Sequence, residues 1–162
     1  MGDSMEDRQT TKNQGYQVQD SELTLRQALQ AFRTESDVVP VMTELSGRGL
    51  GGELQAHDVS HVLFGCPSTV EGEIVLARWN LFGATDFGQI YGRGLMKPEG
   101  RELFRKAFHK ARPRDFTRGI VRGFVAVYRA LRMTRRWPTF EYERYLDQRL
   151  VEIRCEFGIQ LV

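Results

Sequence analysis

Apolar residues recur at helical spacing along most of this chain, and no stretch of useful length alternates as a strand would. Leu25, Ala28, Leu29 and Phe32 mark the first amphipathic run, with Thr24 and Gln27 placed as a capping box at its start. Residues 1–20 are polar without periodicity and read as a disordered tail ahead of a single domain over 21–162. Pro40 to Leu45 predicts a second, short helix, because proline suits a first turn. Gly47, Gly49, Gly51 and Gly52 follow without the Lys-Ser/Thr ending of a phosphate loop, and read as a hinge.

The pattern from Glu53 to Phe64 predicts a helix closed by Gly65, on which Leu50, Leu54, His57, His61 and Phe64 share one stripe. Pro67 stops that helix, and Ser68 with Glu71 is placed to cap the next. The next helix is expected to bury Val70, Ile74, Ala77 and Leu81, with Glu73 beside them. After a glycine-rich connection from Gly83 to Gly94, a helix starting at Pro98 carries Leu103, Phe104 and Phe108. Asp115 is placed to cap a longer one from Phe116 to about Thr134, with Phe116, Ile120, Phe124, Val127 and Leu131 as its inward face. A last helix from Thr139 to Glu156 turns Tyr142, Leu146, Leu150 and Ile153 inward, and Gly158 lies just past its end. The fold class read from this pattern is all-α, a compact multi-helix single domain.

Composition adds little, since 162 residues with 41% hydrophobic and 27% charged suit one globular domain. Charge adds more. A net charge of +2 conceals an acidic N-terminal third and a basic stretch from Arg101 to Arg136, where only Glu102 and Asp115 are acidic. In that stretch Arg118, Arg122, Arg129, Arg132 and Arg136 are expected on the side opposite the apolar face. A solvated face is the plainest reading of such a stripe, and a membrane surface with anionic headgroups the next. Nucleic acid comes last, because no helix-turn-helix, zinc-finger or ribonucleoprotein pattern accompanies it.

Cys66 and Cys155 form no CxxC pair, which suits a reduced, cytoplasmic setting without a disulfide framework. The N-terminus has no apolar core of a secretory signal, and no run of about 18 apolar residues exists, so membrane contact is expected to be peripheral.

Candidate chemistry concentrates in one place. His57-Asp58-Val59-Ser60-His61 precedes Glu73 by an eleven-residue gap, and gathers two of the three histidines. The third, His109, lies in the basic stretch. Histidines four apart on a helix sit one above the other, so their ring nitrogens can converge on one ion, as in HExxH zinc helices. Asp58 could ligate directly or orient a ligand, and Glu73 would arrive from the following helix. Glu71 has a sufficient role as a cap, whereas Glu73 has none. These nitrogen and oxygen donors suit Zn²⁺, Fe²⁺, Mn²⁺ or Co²⁺. A buried polar network without metal fits the same spacing.

The run His57-Asp58-Val59-Ser60-His61-Val62-Leu63-Phe64-Gly65, followed by Pro67, Thr69, Val70, Gly72, Glu73 and Ile74, resembles the signature of the Coq4 family of ubiquinone (coenzyme Q) biosynthesis proteins. That signature is HDxxH, eleven residues, then Glu, matched here with Val62 to Gly72 as the eleven. Glu141, Leu146, Leu150, Ile153, Arg154, Phe157, Gly158 and Ile159 are similar to the family's C-terminal ending. The resemblance is to a divergent, N-terminally short, bacterial-type member, with Gly-Glu-Leu-Gln-Ala before the motif in place of the family's usual Tyr-Arg-Glu lead. It implies an all-helical protein with a divalent metal, zinc first, on His57, Asp58, His61 and Glu73. It also implies a polyprenyl-binding cavity, peripheral attachment to the inner face of the membrane, a homodimer, and partners among the quinone-biosynthesis proteins. The implied activity is exchange of the ring carboxylate of a polyprenylated hydroxybenzoate for hydroxyl. The alternative it implies is a lipid-binding scaffold that organises the pathway's enzymes.

Overall fold

The computed structural model describes residues 15–35, 51–89 and 112–162, and among them the regular structure is helical. The α-helices are α1 (Leu25–Glu35), α2 (Gly51–Leu63), α3 (Val70–Gly83), α4 (Pro113–Ala130) and α5 (Leu150–Phe157). A single helical turn at Phe87–Gln89 and 3₁₀ segments at Gly15–Gln17 and Thr139–Tyr145 complete them. Extended pairing is confined to the isolated bridges Thr24–Arg149 and Ala84–Trp137. The all-α reading therefore holds. The helices expected at Pro40–Leu45 and from Pro98 lie outside the described residues.

α1 starts where the capping box places it: the Thr24 N–H donates to Gln27 Oε1 at 3.0 Å, and the Gln27 N–H to Thr24 Oγ1 at 3.2 Å. Leu25, Ala28, Leu29 and Phe32 are buried. The packed chain begins earlier than polarity suggested. Tyr16 is buried and meets the Phe32 ring edge-on at 5.8 Å, because an aromatic in a polar stretch still gains from leaving water. α2 ends at a turn where Gly65 takes a φ of 64°, a left-handed conformation that glycine adopts without a Cβ penalty.

Four expectations are corrected. The cap of α3 is Thr69, whose Oγ1 accepts from the Gly72 N–H at 3.1 Å. Ser68 is exposed, and Glu71 instead pairs with Arg122 at 2.7 Å. The buried residues of α3 are Gly72, Val75, Leu76, Trp79, Asn80 and Gly83, while Leu81 is exposed and Val70, Ile74 and Ala77 lie between core and surface. The helix has apolar residues nearly all round, so periodicity alone could not choose its deepest face.

α4 is rotated from its expected orientation. It lies along α3 in the most extensive helix contact of the described chain and buries Gly119, Gly123, Ala126 and Ala130. A Cβ on Gly119 would come within 2.9 Å of Ile74 Cδ1, and one on Gly123 within 3.2 Å of Arg78 Cγ. Close approach of the two backbones selects the small residues. Phe116, Ile120, Phe124 and Leu131 therefore face outward. Finally, the helix expected over Thr139–Glu156 is two elements, parted at Leu146–Arg149. The Leu146 and Gln148 carbonyls of the break accept from the Arg26 and Leu25 N–H groups. Leu150 and Val151 N–H donate back to the Leu23 and Ser21 carbonyls. Two helix starts thus satisfy one another's orphan donors.

Candidate metal centre

The centre lies between α2 and the first turn of α3. His57 and His61 stand one turn apart on α2, ring centroids 4.7 Å apart. The Thr69 cap and the closeness of Gly72 to Pro67 fix the first turn of α3, since a Cβ on Gly72 would overlap the Pro67 carbonyl oxygen at 1.9 Å. Glu73 is thereby aimed back at α2. Its Oε1 lies 2.9 Å from His61 Nε2 and its Oε2 3.4 Å from His57 Nε2. One donor atom from each of the three residues falls within 4.8 Å of the other two, so His57, His61 and Glu73 can hold a metal ion. His61 is buried, while His57 and Glu73 are partly open.

Backbone contacts of His61 set its donor atom. His61 Nδ1 lies 2.9 Å from the Cys66 carbonyl, and the Cys66 N–H donates to the His61 carbonyl. A carbonyl only accepts, so Nδ1 carries a proton and the Nε2 lone pair of neutral His61 points at Glu73. Nε2 and a carboxylate oxygen at 2.9 Å need a cation between them, either a second ring proton or a metal. The Phe32 ring lies against His61 at 5.0 Å and 22°, closing one side.

The electrostatics couple Glu73 to both histidines. Burial works to raise the pKa of Glu73, yet His61 and His57 overcome it and hold the carboxyl well below its ordinary range. Burial works to lower the pKa of His57, but Glu73 and, with smaller effect, Asp58 raise it. Two imidazoles and one carboxylate are a donor set that zinc and ferrous iron both take. The fit is good.

Asp58 does not join these donors. Its Oδ2 accepts from Arg33 Nε on α1 at 3.1 Å, and burial raises its pKa against the opposing pull of Arg33. Asp58 thus stands outside the three-residue donor group, held by Arg33 rather than against any of the three candidate ligands. Cys66 is buried and its thiol is pushed up by burial and by Glu73, which makes it inert, as expected for a core position. His109 lies outside the described residues.

Comparison of the chain with family models, with curated proteins and with solved structures gives no match.

Two features escaped sequence reasoning. Arg154 is fully buried and donates to the Leu63 and Val62 carbonyls, both at 2.9 Å, and to those of Tyr16, Val18 and Gln19. Burial lowers its pKa to about 10, still leaving it charged at the C-terminal end of α2, where a cation is favoured. The other feature is the outer face of α4 and its C-cap, where Ile120, Val121, Phe124, Tyr128 and Leu131 are roughly half to three-quarters exposed (49–72%). Of the arginine stripe, Arg122 binds Glu71 and the Val162 carbonyl, Arg129 reaches the Gln160 carbonyl, and Arg132 stacks over Tyr128. Arg118 and Arg136 are exposed. No helix among the described residues is long and apolar enough to cross a membrane.

Proposed function

We propose that this chain is a metal-dependent protein of ubiquinone biosynthesis that acts on a polyprenylated hydroxybenzoate, exchanging its ring carboxylate for hydroxyl. The observation that carries the metal part is the convergence of His57, His61 and Glu73 with the His61 ring fixed by Cys66. The substrate class is carried by the resemblance of residues 57–74 to the Coq4 signature. The exchange releases carbon dioxide and places one oxygen atom of dioxygen on the ring, the other leaving as water with two electrons and two protons from an external reductant.

In this reading a bound divalent ion supplies Lewis acidity beside the aromatic ring. His57, His61 and Glu73 would hold it, and Phe32 stacks against the His61 ring. Zinc is the first expectation for this donor set. Ferrous iron takes the same set and adds redox chemistry. The outer face of α4 supports the peripheral membrane part of the reading. Its exposed Phe124, Ile120 and Leu131 would enter the headgroup layer, with Arg118 and Arg136 placed near anionic lipid. The alternative is a scaffold that presents the lipid to other enzymes around a structural metal.

The test is elemental mass spectrometry on protein purified without an affinity-tag metal, alongside His61→Ala and Glu73→Ala. We expect about one ion per chain, as one set of donors allows, lost in both variants. Turnover of the prenylated acid that vanishes in folded His57→Ala would identify an enzyme. A wild type that stays metal-free in the presence of candidate ions would refute the reading.

A further inference from the structure

Asp58 follows His57 directly and precedes His61 by less than one turn, yet its carboxylate stays out of the donor group. Arg33 holds it at 3.1 Å, the aspartate side chain almost fully buried. The same turn of α1 places Phe32 against His61, so one helix fixes both the ligand ring and the withdrawn carboxylate.

We propose that Arg33 is a positioning residue that keeps Asp58 off the metal, leaving the centre with three protein donors and room for one monoanionic ligand. This rests on the metal reading above and names the class of ligand the site takes. A divalent ion with one carboxylate and two neutral imidazoles keeps a net charge of +1, and the Arg33 guanidinium opposes the charge of the Asp58 carboxylate beside it. A carboxylate or phenolate completes neutrality. With Asp58 as a ligand, the protein alone would neutralise the ion and close the shell at four donors, as structural sites do.

The experiment uses the full chain loaded with Co²⁺, whose visible spectrum reports coordination, titrated with azide as the monoanion. The wild type should show a cobalt spectrum that azide shifts, and Asp58→Asn should match it in both respects. Arg33→Met frees Asp58 and should weaken the azide response by about tenfold or more, within the range for outer-shell changes at metal sites. The Arg33→Met/Asp58→Asn double variant should recover the response, which a merely unfolded protein would not do. An altered cobalt spectrum in Asp58→Asn, no azide response in the wild type, or full azide binding by Arg33→Met each overturns the proposal while leaving the metal reading intact. If Arg33→Met does not fold, Asp58→Asn alone decides. A wild type that takes up no cobalt overturns the metal reading, and this inference with it.

Discussion

At the scale of single residues, the centre depends on side chains whose partners are backbone atoms. Arg154 is the strongest case, because its guanidinium gathers carbonyls from the end of α2 and from residues 16–19. Arg154→Met removes the cation and leaves several buried carbonyls without donors. The expected loss is about 3–5 kcal/mol, read from urea unfolding, as for breaking a buried ionic network. Glu71→Ala, by contrast, removes a partly exposed ion pair with Arg122 and should cost about 0–1 kcal/mol with metal content unchanged. The sequence separates Glu73 from Glu71 by placing it beside the Val70, Ile74 and Ala77 stripe, and the structure does turn Glu73 toward α2 although the deepest face of α3 lies elsewhere. The reason given for Glu71 did not survive, because Thr69 is the cap. Arg154 was illegible as an organiser, since no side-chain pattern encodes a cluster of carbonyls. The withdrawal of Asp58 depends on Arg33, from a different helix, and local spacing carries no sign of it.

Among the elements, helix positions were largely readable and helix orientations were not. The i, i+4 histidines, the Gly65 stop and the α1 capping box are local, and all three stand as read. α4 shows why orientation fails. Hydrophobic periodicity weights large side chains, whereas the contact with α3 is made by Gly119, Gly123, Ala126 and Ala130, one position round the helix. Gly119→Val should therefore destabilise by about 1–3 kcal/mol, since its new atoms meet Ile74 in an already filled interface. Phe124→Ser, on the 72% exposed position, should move stability by no more than about 0.5 kcal/mol. It should also lower co-sedimentation with vesicles of anionic lipid. A large loss of stability in Phe124→Ser would mean that this face is packed within the fold. The break at Leu146–Arg149 was equally hidden, because the donors that its carbonyls satisfy belong to α1.

For the whole molecule, the centre is expected to tie folding to pH and to metal in opposite directions. In chelated protein the His57 pKa is raised above its ordinary 6.5 by Glu73, against burial. Its contribution is thus complete below that value and fades as pH rises through the raised one. The Glu73 pKa is held below its ordinary 4.5 by His61 and His57, against burial, so its contribution is complete above 4.5 and fades as pH falls through the depressed value. Both act together between 4.5 and 6.5, and the chelated protein should lose stability on either side of that window. Metal reverses the upper limb, because imidazoles must shed their protons to bind it. With free zinc at a hundred times its neutral-pH dissociation constant the added stability is about 2.7 kcal/mol, and at that same free zinc it should shrink in acid, where protons compete for the imidazoles. Urea midpoints from pH 3 to 9, with chelator and with zinc, should coincide in acid and diverge steadily above neutrality. Superimposable profiles throughout would make His57, His61 and Glu73 a proton-sharing network. Divergence makes them a metal centre whose occupancy the fold itself reports.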